Sequence, residues 1–149
     1  MSEMRRLSGA EARHAACSAA EVLRSDPRVQ LIYLFGSVAD AVRSPRDVDL
    51  AVLTERALPL DELMRLRADA VTAAGGVPID LVSLNDASVV LAHEIADTGE
   101  CLFARSPDIE VDFVTRARAR YWDFKPFLED QWRLAGQRLE ERRRRGASS

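Results

Sequence analysis

Five residues of this chain have the types and the spacing to handle a phosphate chain. Gly36 and Ser37 end one apolar run, Asp47 and Asp49 open the next, and Asp80 lies within a third. Side chains two apart on a strand share a face, with bases about 7 Å apart. Asp47 and Asp49 are therefore expected to face one way, and Val48, Leu50 and Val52 the other. Carboxylates gathered at the rim of an apolar sheet repel one another and resist desolvation. A divalent cation supplies the missing charge, and hard oxygen ligands favour Mg2+ or Mn2+. Two such ions about 3.5–4 Å apart can activate an attacking oxygen and stabilise a leaving pyrophosphate in an in-line displacement. Gly36 would let the backbone approach a phosphate, and Ser37 would offer its N–H and hydroxyl at a helix N-terminus, where anions are favoured. Alone, each half is weak: Gly-Ser after a strand is usually a turn, and Asp-x-Asp is usually a polar strand entry. The strength lies in the combination.

The elements around these residues must bring them together. "VQLIYLF" (29–35), "DVDLAVL" (47–53) and "VPIDLVSL" (77–84) read as buried strands, with "CLFA" (101–104) as a fourth strand at an edge. Ser8-Gly9-Ala10-Glu11 has the form of a capping box, and the apolar spacing that follows predicts a helix up to Asp26-Pro27. A second helix is expected after Pro59, with Leu60, Leu63, Met64, Ala70, Val71 and Ala74 on one face and Gly75-Gly76 at its end. Asn85-Asp86 is expected to cap a third, ended by Gly99. From Pro107 the pattern is helical, with Pro126 predicted to kink or divide it. About ten residues join the first two strands. That is too few for a parallel crossover, so these strands should be antiparallel and Gly36-Ser37 should return to Asp47 and Asp49. A full helix joins the second and third strands, which suits a parallel right-handed crossover and brings Asp80 to the same rim. The expected fold is α/β (α+β): a small mixed sheet of three to four strands with flanking helices and a long C-terminal helical segment. It forms one domain over 1–149, with its core at about 8–104 and a helical extension at about 107–145.

"LFGSVADAVRSPRDVDLAVL" together with "PIDLVSL" resembles the minimal nucleotidyltransferases, small members of the polymerase-beta-like nucleotidyltransferase superfamily. That family's pattern of Gly-Ser, Asp-x-Asp and a third Asp on a following strand is met at Gly36, Ser37, Asp47, Asp49 and Asp80. The resemblance implies a nucleotidyltransferase fold, ATP as substrate and two Mg2+ ions held by the aspartates. It also implies the antitoxin role of a HEPN ribonuclease toxin pair, in which AMP is transferred to a tyrosine of the toxin. One position departs from the pattern. Asp40 stands where many members carry Arg or Lys, and an acid there should repel a triphosphate. Arg43 or Arg46 in the same loop is expected to reach the phosphates instead. Two alternatives stay open: a binding-only antitoxin that occludes its toxin, and a nucleotidyltransferase acting on a small molecule such as an aminoglycoside.

The rest of the sequence narrows the class. A chain of 149 residues, 47% apolar and 30% charged, fits one ordered domain. No apolar run nears the roughly 18 residues of a membrane span, and Glu3, Glu11 and Glu21 interrupt any signal or transit peptide, so the expected location is cytoplasmic. The net charge of −3 and the lack of a broad basic face argue against direct nucleic-acid binding. Arg142 to Arg145 read either as a solvated helix end or as a contact for RNA or an acidic partner. Cys17 and Cys101 are expected to be free, buried thiols. His14 and His93 read as ordinary helix-face histidines. "YWDFKPF" (121–127) reads either as the core layer of the last helix or as a docking surface.

Overall fold

A computed structural model describes residues 7–36 and 47–147 of the chain. The order is helix α1 (Gly9–Leu23), strands β1 (Val29–Phe35) and β2 (Val48–Thr54), helix α2 (Leu60–Ala73), strand β3 (Ile79–Ser83), helix α3 (Val89–Thr98), strand β4 (Glu100–Ala104) and helix α4 (Pro107–Ala147). The strands form one mixed sheet in the order β3-β2-β1-β4. β1 pairs antiparallel with β2 and with β4, and β2 pairs parallel with β3, as the connection lengths require.

Strand alternation divides the apolar residues between two cores. Ile32, Leu34, Val48, Leu50, Val52, Ile79 and Leu81 face α1 and α2. There Ala12, Ala15, Ala16 and Ala19 let α1 lie close to the sheet, because a methyl side chain keeps its axis near the strands. Leu31, Tyr33, Ala51 and Val82 face the other way, toward Ile95 of α3 and Ile109 and Phe113 of α4. Asp49 and Asp80 share the parity of Ala51 and Val82, so they lie on this second face, where the strands begin.

The capping box at the start of α1 forms: the Glu11 N–H donates to Ser8 Oγ at 3.0 Å and the Ser8 N–H to Glu11 Oε1 at 3.4 Å. Arg105, just past β4, donates to the carbonyls of Arg24, Asp26 and Val29 and so ties together the C-cap of α1, the turn after it and the start of β1. Gly75 and Gly76, at φ 69° and 88°, close α2.

Several sequence expectations are corrected. The cap of α3 is Ser88, whose Oγ accepts from the Leu91 N–H at 3.1 Å, and not Asn85-Asp86. Asn85 instead reaches across to the end of β2: it accepts from the Thr54 N–H at 3.0 Å and donates to the Thr54 carbonyl at 2.8 Å. The buried residues of α2 are Leu66 and Ala70, with Leu63, Val71 and Ala74 partly covered, while Leu60 and Met64 face solvent. Cys17 is free but exposed, and Cys101 is free and half-buried, so the expectation of two buried thiols fails. Pro126 does not divide α4, which runs as one helix of 41 residues. Proline removes its own N–H from the ladder and crowds the carbonyl four residues back, but that carbonyl belongs to solvent-exposed Trp122 and can be satisfied by water. Trp122 and Phe127 are exposed, so "YWDFKPF" is not a core layer.

Candidate active site

The site is built where β1 ends and β2 and β3 begin. Phe35 is opposite Asp49 in the antiparallel ladder, and Asp49 is level with Asp80 in the parallel one. Neighbouring strands are about 4.8 Å apart, so register alone brings the Asp49 and Asp80 side chains into one neighbourhood. The backbone at the rim is firmly held. The Val48 N–H donates to the Pro78 carbonyl at 3.0 Å, and Arg67 of α2 donates its Nε to the Ile79 carbonyl at 2.8 Å. β3 is an edge strand, so Arg67 gives a carbonyl on its outer side the partner that a further strand would otherwise supply. Sequence reasoning missed Arg67, because an arginine on a helix carries no signal of a bond to a strand twelve residues later.

Gly36 turns the chain at φ 79° immediately after β1. Its missing side chain has a tenant: a Cβ there would collide with Asp49 Oδ2 and stand 3.2 Å from Asp49 Cγ. Glycine is thus needed both for the left-handed backbone and for the carboxylate that lies against it. Asp49 is half-buried, whereas Asp47, just before β2, and Asp80 are exposed. Burial, with the charges of Asp47 and then Asp80, pushes the Asp49 carboxyl up to about 6. Ser37, Asp40, Arg43 and Arg46 lie outside the described residues. Of the sequence-based candidates, the described residues therefore bring together Gly36, Asp47, Asp49 and Asp80.

This donor set suits a hard divalent cation. The oxygens are carboxylate oxygens, and the Asp49 carboxyl is raised first by its burial and then by the negative charges of Asp47 and Asp80, all of which a bound cation would offset. Among the described residues no group of three or more His, Cys, Asp or Glu is placed closely enough to hold a metal ion by itself. Among these residues, too, no helix is long and apolar enough to cross a membrane.

Comparison with known proteins agrees with this geometry. The family described as polymerase beta, nucleotidyltransferase, matches residues 18–108, which include Gly36 and the three aspartates. The chain is 37% identical over 87 residues to the protein adenylyltransferase MntA of Shewanella oneidensis. That match takes in 57% of this chain and 61% of the relative, so the chain spans about three fifths of the relative's length. A chain from a crystal structure of a toxin–antitoxin with AMP-PNP superposes at a TM-score of 0.67 and 26% identity, covering 78% of this chain and 98% of that one. Another, from tri-AMPylated Shewanella oneidensis HEPN toxin in complex with MNT antitoxin, superposes at 0.59 and 26% identity, covering 81% and 98%. The carboxylate rim, the mixed sheet that aligns it and the match over 18–108 together place this chain in the polymerase beta nucleotidyltransferase family.

Proposed function

We propose that this chain is a nucleotidyltransferase that moves AMP from ATP to a tyrosine of a cognate HEPN ribonuclease toxin and so acts as its antitoxin. The observation that carries the reading is the alignment of Asp49 with Asp80, beside a glycine whose open side is taken by the Asp49 carboxylate. The acceptor class is supported by the relatives named above, a protein adenylyltransferase and an antitoxin in complex with an AMPylated toxin.

In this reading Asp47, Asp49 and Asp80 would hold Mg2+, which when bound would supply positive charge to the triphosphate and to the attacking oxygen. The chain's own groups do the positioning. Gly36 lets the backbone come near the phosphates, with Ser37 following it, and Arg43 and Arg46 offer cations in place of the base that Asp40 has replaced. The tyrosine oxygen forms a bond to the α-phosphorus, the bond from that phosphorus to the bridging oxygen breaks, and pyrophosphate leaves. The hydroxyl proton passes to a carboxylate of the set, so charge and atoms balance.

The test is incubation of the purified chain with labelled ATP, Mg2+ and its proposed HEPN-type partner. Label should appear on the partner, and Asp47→Ala or Asp49→Ala should abolish it. Neutralisation of the partner that survives both substitutions, with no label transferred, would establish occlusion as the mechanism instead.

A further inference from the structure

The last helix outruns the body it packs on. Phe113 and Ile109 pack in the second core, Ala117 is buried, and Tyr121 stacks on His93 of α3 at 3.7 Å between ring centroids. From Glu129 to Gly146 every residue of α4 is exposed. Yet the apolar face does not stop there. Tyr121, Phe124, Leu128, Trp132, Ala135 and Leu139 fall within about 80° of one another around a helix of 3.6 residues per turn, in line with Phe113 and Ala117. Trp132 is 62% exposed and Leu139 60% exposed. A helix end meant only for solvent has no use for that stripe. Gly136 is a second anomaly. It costs about 1 kcal/mol of helix propensity relative to alanine, and a side chain there would meet nothing within 4 Å in this chain.

We propose that this half of α4 is a self-association surface, on which the same helix of a second copy packs antiparallel with its two-fold axis at Ala135–Gly136. The smallest neighbouring pair in the segment then lies where the two helices come closest, which accounts for the glycine. Trp132 of each copy covers Leu139 of the other. On the flank, Glu129 of one copy faces Arg143 of the other. A parallel pairing would instead stack the run Arg142–Arg145 against itself, so the charge pattern selects the antiparallel arrangement. The surface is one face of a single helix, small against the roughly 1,200 Å² at the low end of specific interfaces, so the association is expected to be weak and reversible. The inference does not depend on the catalytic reading.

Sedimentation equilibrium of the full chain over a micromolar concentration series tests it. The expected result is a reversible monomer–dimer equilibrium, weakened at least about tenfold by Trp132→Glu. Gly136→Gln should weaken it too while raising helix content, since glutamine is the better helix former and has open space in the monomer. In a Cys17→Ser background, Ala135→Cys should give a disulfide-linked dimer under mild oxidation, and Leu139→Cys should not. A monomer at every concentration overturns the proposal, as does a dimer indifferent to Trp132→Glu and Gly136→Gln. Cross-linking through Leu139→Cys overturns the antiparallel arrangement.

Discussion

The carboxylate of Asp49 occupies the space that a side chain on Gly36 would fill. The turn after β1 and the acid on β2 are thus a single steric unit, and neither residue can change without the other responding.

Gly36→Ala should therefore be damaging twice over. Left-handed backbone costs a residue with a Cβ about 1–2 kcal/mol, and the new methyl displaces the Asp49 carboxylate. Nucleotidyl transfer should fall by about a hundredfold, the scale of a misplaced reactive group. In the double variant Gly36→Ala/Asp49→Ala, the steric part of the stability loss should disappear and the backbone part remain. Chemical denaturation of the set checks this; strictly additive losses would count against the contact.

Asp49 should set a pH dependence of stability. Its carboxyl lies at about 6 in the folded chain, above an ordinary value of 3.8. Between those two values the folded state holds more protons than the unfolded, so stability falls as pH rises through that window, and the penalty is complete above it. Asp49→Asn should raise Tm at neutral pH in metal-free buffer, and that advantage should vanish near pH 4. Added Mg2+ should raise the Tm of the parent chain more than that of the variant. A difference in Tm that ignores both pH and Mg2+ would remove this account.

Arg43 and Arg46 are the cations available beside Asp40. Arg43→Ala and Arg46→Ala should each weaken ATP binding, and Asp40→Arg should strengthen it. Direct ATP titration by calorimetry decides the matter. Unchanged affinity in both alanine variants would leave the triphosphate to other groups.

Asn85 should matter for stability and not for chemistry. Thr54 is buried, and Asn85 partners both its N–H and its carbonyl. Asn85→Ala should cost about 1–3 kcal/mol in urea unfolding, the scale of unsatisfied buried polar groups. Asn85→Asp should recover only part of that, because it can accept from Thr54 but cannot donate to it.

The sheet and the meeting of Asp49 with Asp80 were legible in the sequence for one physical reason: connection length dictates strand direction, and direction dictates which ends meet. A loop of about ten residues made β1 and β2 antiparallel, a helix made β2 and β3 parallel, and Asp49 met Asp80. What escaped depended on contacts across the fold. Asn85 reads as a helix cap locally, yet Thr54 lies near enough to claim its side chain, and Ser88 serves as the cap. The expected face of α2 included Leu60 and Met64, but the helix presents to the core the face of Leu66 and Ala70, about a third of a turn away around its axis. Arg67 found a carbonyl that is open only because β3 lies at the edge of the sheet, a fact set by the strand order. Cys17 sits among core alanines in sequence, and the helix turns it outward.

The pairing of Asp49 with Asp80 also makes this rim a check on correct assembly. The two residues reach it from strands joined by a whole helix, and the side-chain period of a strand is two. Sliding β3 by a single residue would turn Asp80 to the opposite side of the sheet and bring Ile79 or Leu81 to the rim, while most of the backbone bonding survived. Such a chain would keep its secondary structure but could no longer gather its carboxylates. Misfolded copies with near-native helix and strand content would then be silent, and activity would report the register of the sheet more sharply than spectroscopy could.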